Sequence, residues 1–215
     1  MLSAHDANRQ YFREAYRTGD HGWPGDKPSP YAVGFLKRLR RLVPGGELLD
    51  IGCGEGRHSF AAARLGFSVT AIDYEPLALQ RARQFARASH LEEIIFQRAD
   101  IFCMPFTDSC FDVVLDYGCL HHQRKSDWPA YKTSILRVLQ PEGYYILSVF
   151  SPRFRFFRGS RRRWHIAYGA YRRCFTPGEI EELFGRDFDV ISMAEERGRG
   201  GGFWHVLMKR RVLPG

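Results

Sequence analysis

The chain of 215 residues is predicted to fold as an α/β protein, with helices on both faces of a mostly parallel sheet. Three observations predict this class. Apolar, strand-like runs alternate with helix-like segments through the middle of the chain. The first run leads into the glycine-rich segment 50–56, Asp-Ile-Gly-Cys-Gly-Glu-Gly, and a helix-like segment follows it. Aspartates stand at the ends of several runs, where a parallel sheet binds its ligands.

The N-terminal part of the chain, residues 1–44, is predicted to form a helical cap over the ligand site. Residues 4–18 have the pattern of an amphipathic helix, and residues 19–30 form a loop rich in turn residues. A second helix is expected over 31–42, because Pro44-Gly45-Gly46 ends it.

Residues 45–150 are predicted to form the ligand-binding core. Gly66 suits the position just after a helix, and Pro76 suits a first helical turn. The predicted strands are 47–51, 67–72, 94–98, 111–116 and 144–150, and the predicted helices are 57–65, 76–88 and 129–139.

The C-terminal part divides into a basic aromatic insert, 151–175, and a closing segment, 176–215. Thr176-Pro177-Gly178-Glu179 has the pattern of a capping box with proline in the first turn, so a helix is expected to about Phe184. Two strand-like runs then form an antiparallel hairpin at the sheet edge: 187–193 and 203–209.

The composition is that of an ordinary soluble domain, with 44% hydrophobic and 26% charged residues. No apolar run is long enough to span a bilayer, and the polar N-terminus is unlike a signal peptide, so no membrane partner is expected. None of the five cysteines forms a Cys-x-x-Cys pair. Free thiols and a reducing, cytoplasmic location are therefore predicted.

The spacing of the glycine loop indicates which cofactor it holds. Glycines allow the backbone to turn tightly and to approach a ligand, and the following helix offers unpaired N–H groups. A dinucleotide site of the Gly-x-Gly-x-x-Gly type would place its third glycine at position 57, which is Arg57. The loop here is Asp-x-Gly-x-Gly-x-Gly, beginning at Asp50, and a second acid, Asp73, ends the next strand-like run.

With this loop and these acids, the chain resembles the class I S-adenosylmethionine-dependent methyltransferases, most strongly over 45–150. The resemblance implies a Rossmann-like, seven-stranded, mostly parallel sheet and S-adenosylmethionine as cofactor. It implies that the glycine loop lies beside the methionine part, with Asp50 near the ammonium group. It also implies that Asp73 binds the ribose and that Asp100 reaches the adenine amino group.

Further cofactor contacts are expected around this loop. Tyr74 is expected near the ribose or adenine, or else is an ordinary half-buried aromatic. Trp23 is expected to cover the sulfonium by a cation–π contact, or else anchors its loop. Other N-terminal aromatic candidates for this cover are Tyr11, Tyr16, His21 and Tyr31. The full predicted cofactor set is Asp50, Gly52, Cys53, Gly54, Gly56, Asp73, Tyr74, Asp100, Ile101, Asp116 and Trp23.

The acceptor side is predicted at the end of the fourth strand, in the segment 117–122. Methyl transfer from a sulfonium is an in-line displacement, in which the enzyme aligns the acceptor and, where needed, accepts a proton. His121 and His122 are the candidate catalytic bases, or else they shape the pocket through backbone hydrogen bonds. Tyr117 is a candidate substrate contact. A metal site formed by Asp116, Cys119, His121 and His122 is conceivable, but nothing else in the chain supplies the usual ligand spacing, so no metal is predicted.

The insert is open to three interpretations. Arginines and aromatics interleave over 151–173, and no acidic residue lies between Glu142 and Glu179 in a chain of net charge +8. The insert is a lid for a carboxylate or phosphate substrate, a nucleic-acid face, or a solvated loop. Arg161 and Trp164 are the substrate-binding candidates on the first interpretation.

The predicted function is transfer of a methyl group to a small molecule by in-line displacement, with an anionic acceptor if the insert binds it. One alternative is an RNA or protein methyltransferase that docks through 151–173. Another is a non-catalytic protein that only binds the cofactor. A finer resemblance, to compact bacterial methyltransferases of the thiopurine and tellurite-resistance type, rests on short motifs near Cys174 and Trp204.

Overall fold

The computed structural model describes residues 4–19, 27–196 and 202–212. The helices are α1 (Ala4–Thr18), α2 (Pro30–Leu39), α3 (Arg57–Arg64), α4 (Pro76–Ala88), α5 (Trp128–Val138) and α6 (Pro177–Phe184). The strands are β1 (Glu47–Ile51), β2 (Ser68–Asp73), β3 (Ile95–Arg98), β4 (Phe111–Tyr117), β5 (Leu139–Phe150), β6 (Trp164–Ala167), β7 (Ala170–Arg173), β8 (Phe188–Glu195) and β9 (Phe203–Arg210).

Seven of these strands form one sheet in the order β3-β2-β1-β4-β5-β9-β8. Strands β1 to β5 are parallel, and β9 runs antiparallel to both of its neighbours. The predicted fold class and the C-terminal hairpin are thereby confirmed. The chain reverses its direction of strand addition between β1 and β4, and sheets of this kind bind ligands outside the carboxyl ends of the strands at that point.

The sheet separates two apolar layers because neighbouring residues of a strand point to opposite faces. On β1, Leu48 packs into the layer with α2, α3 and α4, whereas Leu49 packs into the layer with α5 and α6. On β4, Val113 and Val114 divide in the same way. The central strands are therefore apolar on both sides, as a buried parallel sheet requires.

The structure corrects the sequence prediction in three places. Helix α2 ends at Leu39 rather than at residue 42, and β5 begins at Leu139, directly after α5. The insert contains a separate two-stranded hairpin, β6–β7, that the sequence analysis did not predict. The capping box of α6 is present as expected: the Glu179 backbone N–H donates to the Thr176 hydroxyl at 3.3 Å, and the Thr176 N–H donates to the Glu179 carboxylate at 3.1 Å.

The two helices of the segment predicted as an N-terminal cap, 1–44, pack in different places. Helix α1 lies over the carboxyl edge of the sheet and contacts β7 and α4. Helix α2 instead packs Leu36 and Leu39 into the layer with α3, as part of the helical cover of the sheet. Among the described residues, no helix has the length and apolarity needed to cross a bilayer.

A buried carboxyl group at the end of β4 joins several elements. The Oδ1 of Asp116 accepts the Cys119 N–H at 2.7 Å. Its Oδ2 accepts the Leu120 N–H at 3.2 Å and the hydroxyls of Tyr131 and Tyr145 at 2.8 and 3.1 Å. Burial raises the pKa of Asp116 to about 6, and these hydrogen bonds oppose that shift. The carboxyl group therefore holds α5 and β5 to the loop that follows β4.

Replacing Asp116 by alanine should strongly destabilise the fold, because it leaves buried donors without an acceptor. We expect Asp116→Ala to lower the free energy of unfolding by about 3 kcal/mol in urea denaturation. The matched control is Asp108→Ala, since the Asp108 side chain is 78% exposed. The control should change stability by less than about 0.5 kcal/mol. Equal changes in both variants would contradict the role given to Asp116.

Candidate functional site

A cavity lies at the carboxyl ends of β1, β2 and β4, where the chain reverses its direction of strand addition. Helix α1 forms one wall, the glycine loop forms the floor, and the loop after β4 forms the opposite wall. Its lining residues are Asn8, Arg9, Phe12, Tyr16, Gly52, Asp73, Tyr74, Gly118, Cys119, His122 and Gln123.

The glycine loop takes a backbone conformation that other residues rarely adopt. Gly52, Gly54 and Gly56 have φ angles of 64°, 58° and 87°. A Cβ on Gly54 would lie 2.6 Å from the hydroxyl oxygen of Tyr16, and one on Gly56 would lie 2.9 Å from the Phe60 ring. The loop is therefore pressed against α1 on one side and against the core on the other, with its backbone open to the cavity only at Gly52.

Asp73, at the end of β2, presents a carboxyl group to the cavity. One oxygen accepts the Gly54 N–H at 2.9 Å, and the other accepts the Glu75 N–H at 2.9 Å. Burial raises the pKa of Asp73 to about 6, against the effect of these two hydrogen bonds. Each oxygen retains a free lone pair, so the carboxyl group can accept two further hydroxyl donors. This capacity fits the ribose role expected from the resemblance.

Asp50 lies below the glycine loop and does not line the cavity. It is buried, and its carboxyl group accepts the Ser59 hydroxyl at 2.6 Å. Burial raises the pKa of Asp50 to about 7, although the Ser59 hydrogen bond and the Arg57 charge lower it. The structure therefore gives Asp50 a place under the loop rather than a direct contact surface.

Asp100 lies at the rim of the cavity and is tied to α1. The Arg9 guanidinium donates to its Oδ2 at 2.5 Å, and the Phe102 N–H donates to its Oδ1 at 3.0 Å. The same guanidinium lies 5.6 Å from the centre of the Tyr74 ring. The residue expected to reach the adenine is thus paired with a cation from the covering helix.

The hydroxyl group of Tyr74 indicates whether the cavity fits a cofactor. Its hydroxyl oxygen is buried and has no hydrogen-bond partner among the described residues, although its ring lines the cavity. A buried polar group without a partner costs free energy, so this position favours a ligand that supplies one. With Asp73 and the glycine loop beside it, the site fits an S-adenosyl group.

His122 is the histidine that reaches the cavity. Its Nδ1 lies 2.8 Å from the carbonyl oxygen of Tyr171, and because a carbonyl only accepts, Nδ1 carries the proton. In the neutral ring Nε2 is then an acceptor. Burial lowers the pKa of His122 to about 3, so the imidazole is neutral at physiological pH. The Phe12 ring meets it edge-on at 4.9 Å.

His121 does not share this position. Its ring stacks on Phe150 at 3.6 Å between centroids, and burial lowers its pKa well below the usual range. His121 does not line the cavity. Of the two candidate bases, His122 is therefore the one that a ligand in the cavity can reach. The candidate metal ligands do not converge either: in the described part of the chain, no three His, Cys, Asp or Glu residues form a group that could hold an ion.

Several other predicted cofactor contacts are placed behind the cavity. Cys53, Ile101 and Asp116 are buried in the core, and Gly56 packs against Phe60. These four residues pack within the protein and are not among the residues that line the cavity. Trp23, the predicted sulfonium cover, lies outside the described residues, as does His21.

The predicted substrate contacts do not line the cavity. Tyr117 lies just beyond the cavity wall, with the Arg57 guanidinium 5.1 Å from its ring centre and the Phe203 ring stacked at 5.5 Å. Arg161 and Trp164 are exposed and are not among the lining residues, although the Trp164 ring stacks on Tyr171, which bonds to His122 and Asn8. The interpretation of the insert as a substrate lid stays a prediction.

The polar face of α1 was not predicted from the sequence. The side-chain amide of Asn8 donates to the His122 carbonyl oxygen at 2.7 Å and accepts the Tyr171 N–H at 2.7 Å. Arg81 donates to the Tyr16 carbonyl oxygen at 2.7 Å. One buried asparagine thus joins the covering helix, the loop after β4 and the insert.

A methyltransferase-domain family model matches residues 42–168, more than half of the chain. The chain therefore belongs to the methyltransferase-domain family. This confirms the resemblance to class I S-adenosylmethionine-dependent methyltransferases and S-adenosylmethionine as the cofactor of this domain. The finer resemblance to thiopurine and tellurite-resistance types is not shown and stays a prediction.

The chain matches only part of the length of its curated relatives. The chain is 30% identical to the 2-heptyl-1-hydroxyquinolin-4(1H)-one methyltransferase of Mycobacteroides abscessus over 128 residues, 60% of this chain and 55% of that protein. It is 27% identical to EEF1A lysine methyltransferase 4 of Mus musculus over 180 residues, 75% of this chain and 68% of that protein. The chain thus spans little more than half of the first relative.

A solved structure shares the fold. It is the 1,6-didemethyltoxoflavin-N1-methyltransferase of Burkholderia thailandensis with bound 1,6-didemethyltoxoflavin and S-adenosylhomocysteine, at a TM-score of 0.80 and 23% identity. The likeness covers 99% of this chain and 92% of that one. The shared fold therefore extends beyond residues 42–168 on both sides.

The raised pKa of Asp50 makes stability depend on pH. The folded value of about 7 lies above the ordinary value of 3.8, so the folded state holds the proton more tightly and stability falls as pH rises through this window. Asp50→Asn removes the ionisation and keeps an acceptor for Ser59. The free energy of unfolding of the variant, measured by urea denaturation relative to wild type, should rise by about 2 kcal/mol between about pH 5 and about pH 8.

The control for this prediction is Asp108→Asn, which changes an exposed carboxyl group. Its stability relative to wild type should be the same at both pH values. If Asp50→Asn shows the same flat difference, burial does not raise the pKa of Asp50 as described.

Proposed function

We propose that this chain transfers the methyl group of S-adenosylmethionine to a small-molecule acceptor by in-line displacement. Family membership and the fit of the cavity support the donor. When bound, this cofactor supplies an electrophilic methyl group on a sulfonium. The protein's part is to hold the donor, align the acceptor and exclude water.

The observation that carries the small-molecule proposal is the covering of one side of the cavity by α1. Helix α1 covers it, with Arg9 paired to Asp100 and Asn8 bonded to the loop after β4. Phe12 and His122 meet within this cover, so the acceptor side is narrow and largely apolar. A small molecule held there reaches the cavity without displacing α1.

The acceptor wall suits an acceptor that loses its proton readily. His122 is fixed by the Tyr171 carbonyl so that Nε2 accepts hydrogen bonds. With a pKa of about 3, it is a weak base that can orient an O–H, N–H or S–H group but removes a proton only from an acidic one. This supports acidic hydroxyls, thiols or heteroaromatic N–H groups as acceptors. The quinolone and toxoflavin relatives, by their names, act on heteroaromatic compounds.

A protein acceptor is the second candidate. The specific observation in its favour is the relative named as a lysine methyltransferase, which matches 75% of this chain. A lysine ammonium must lose its proton before it attacks, and His122 with a pKa of about 3 is poorly matched to that task. The chemistry of the wall therefore favours the small-molecule proposal.

The proposal is tested with methyl-labelled S-adenosylmethionine and two acceptor pools, a panel of heteroaromatic hydroxyl, thiol and N–H compounds and a dialysed lysate protein fraction. We expect label in the small-molecule pool only. Asp73→Asn, which weakens the ribose contacts, should raise the cofactor Kd at least tenfold in calorimetry. Asp108→Asn is the control and should leave the Kd unchanged. Label confined to protein would overturn the small-molecule proposal, and label in neither pool would favour a binding-only role.

The role of His122 predicts an unusual pH profile. Because its pKa is near 3, the imidazole stays neutral and kcat should show no inflection near the ordinary histidine value of about 6.5. His122→Ala should lower kcat roughly tenfold with the cofactor Kd unchanged. The control is His121→Phe, which keeps an aromatic ring against Phe150 and should retain kcat. An unchanged kcat in His122→Ala would remove this residue from the transfer step.

A further inference from the structure

The insert presents an apolar strip to solvent. Trp164 and Ile166 lie on the same face of the edge strand β6, and Tyr168 follows at the hairpin tip, with exposed fractions of 47%, 54% and 81%. The other large apolar side chains that are exposed in the described ranges are dispersed: Leu42, Phe85, Ile95, Val190 and Val212. Three exposed apolar side chains within five residues of one hairpin concentrate apolar area in one place, which isolated exposed residues do not.

Other side chains of the same hairpin contact the rest of the protein. His165 stacks on Phe156 at 5.9 Å, and the Arg172 guanidinium lies 5.3 Å from the Phe156 ring and 4.8 Å from the Tyr11 ring. On β7, the cross-strand partners of Trp164 and Ile166 are buried: Arg173 and Tyr171. Strand β7 is thus packed against the molecule, and β6 is left at the open edge of the hairpin, where Trp164 and Ile166 are exposed. The exposure of the strip is thus a consequence of how the hairpin is anchored.

The chain that leads into β6 is strongly basic. Arg153 and Arg163 pair with Glu195 and Glu179 at 3.0 and 3.6 Å. Arg155 lies over an aromatic ring. Three further arginines are exposed and have no acidic partner within the described residues: Arg158, Arg161 and Arg162. The apolar strip is therefore bordered by cationic charge that the protein itself does not neutralise.

The hairpin is rigidly connected to the candidate site. Phe150, Phe157 and Cys174 form a small core beneath the insert. The Cys174 N–H donates to the Arg163 carbonyl oxygen at 2.9 Å. On β7, Tyr171 bonds through its backbone to Asn8 and to the ring of His122. A contact made by the hairpin is thus one short strand away from the cavity.

We propose that the hairpin face Trp164–Ile166–Tyr168, with Arg158, Arg161 and Arg162, docks on the surface of an anionic phospholipid bilayer. Tryptophan and tyrosine favour the interfacial layer, and isoleucine adds aliphatic area that enters the acyl boundary. Arginines beside such a strip are attracted to anionic headgroups. Peripheral contact of this kind needs no spanning helix.

The composition of the strip favours a bilayer over RNA. A single-stranded nucleic acid binds in a basic groove where bases stack on free aromatic faces. Here one face of the Trp164 indole is already stacked on Tyr171, with centroids 6.2 Å apart and an interplanar angle of 19°. Ile166 offers no stacking surface, and the hairpin is a projecting edge. These features match insertion into an interface better than base stacking.

The test is co-sedimentation of the full chain with vesicles of phosphatidylcholine, alone or mixed with phosphatidylglycerol, at low and high salt. We expect binding only to the anionic vesicles, weakened by salt. The triple variant Arg158→Ala, Arg161→Ala, Arg162→Ala should bind about 100-fold more weakly. The triple variant Trp164→Ser, Ile166→Ser, Tyr168→Asn should bind roughly tenfold more weakly, with asparagine chosen because position 168 has a φ of 53°.

The matched control carries Arg38→Ala, Arg41→Ala and Leu42→Ser, because Leu42 is as exposed as Ile166, at 54%. It should bind like wild type. An unchanged cofactor Kd in every variant shows that each is folded, and binding to vesicles is measured without methyl transfer, so this test is independent of the proposed function. The proposal is overturned if the wild-type chain does not bind anionic vesicles, or if the control variant loses as much vesicle binding as the two triple variants. It is also overturned if the triple variants keep vesicle binding and lose RNA binding or self-association instead.

Discussion

The carboxyl group of Asp116 is the contact on which the candidate site depends. It sits at the end of β4 and accepts hydrogen bonds from the following loop, from α5 and from β5. That loop carries Cys119 and His122, which form the wall of the cavity opposite α1. A buried acid therefore holds this loop in place against α5 and β5. Its burial raises its pKa, and the four donors keep the fold stable around it.

The covering helix makes the second constraint. Asn8 uses both ends of its amide, one on the loop after β4 and one on β7. Arg9 neutralises Asp100 at the rim, and Tyr16 lies against Gly54. Three otherwise separate segments are thereby held to one another across the cavity. Since a buried amide with satisfied hydrogen bonds is specific in geometry, it fixes the position of α1 more sharply than apolar packing alone.

The parts of the fold and site that the sequence predicted are those with local causes. The glycine loop, the acid at Asp73 and the capping box at Thr176 are each determined by neighbours in the chain. Asn8 was not predicted, because its partners lie 114 and 163 residues away. His121 and His122 could not be separated by sequence either. They share one turn of 3-10 helix, in which neighbours differ by about 120° and so face different surroundings.

The strand order has a consequence for how the chain is completed. Strand β9 follows β8 in the sequence, yet it lies between β5 and β8 in the sheet. A nascent chain that has emerged only as far as β8 thus has an open edge at β5 and no partner for β8. Unpaired edges of this kind invite association with other chains. Residues 203–210 must therefore be synthesised before the edges of β5 and β8 can pair, and a shorter nascent chain exposes both edges.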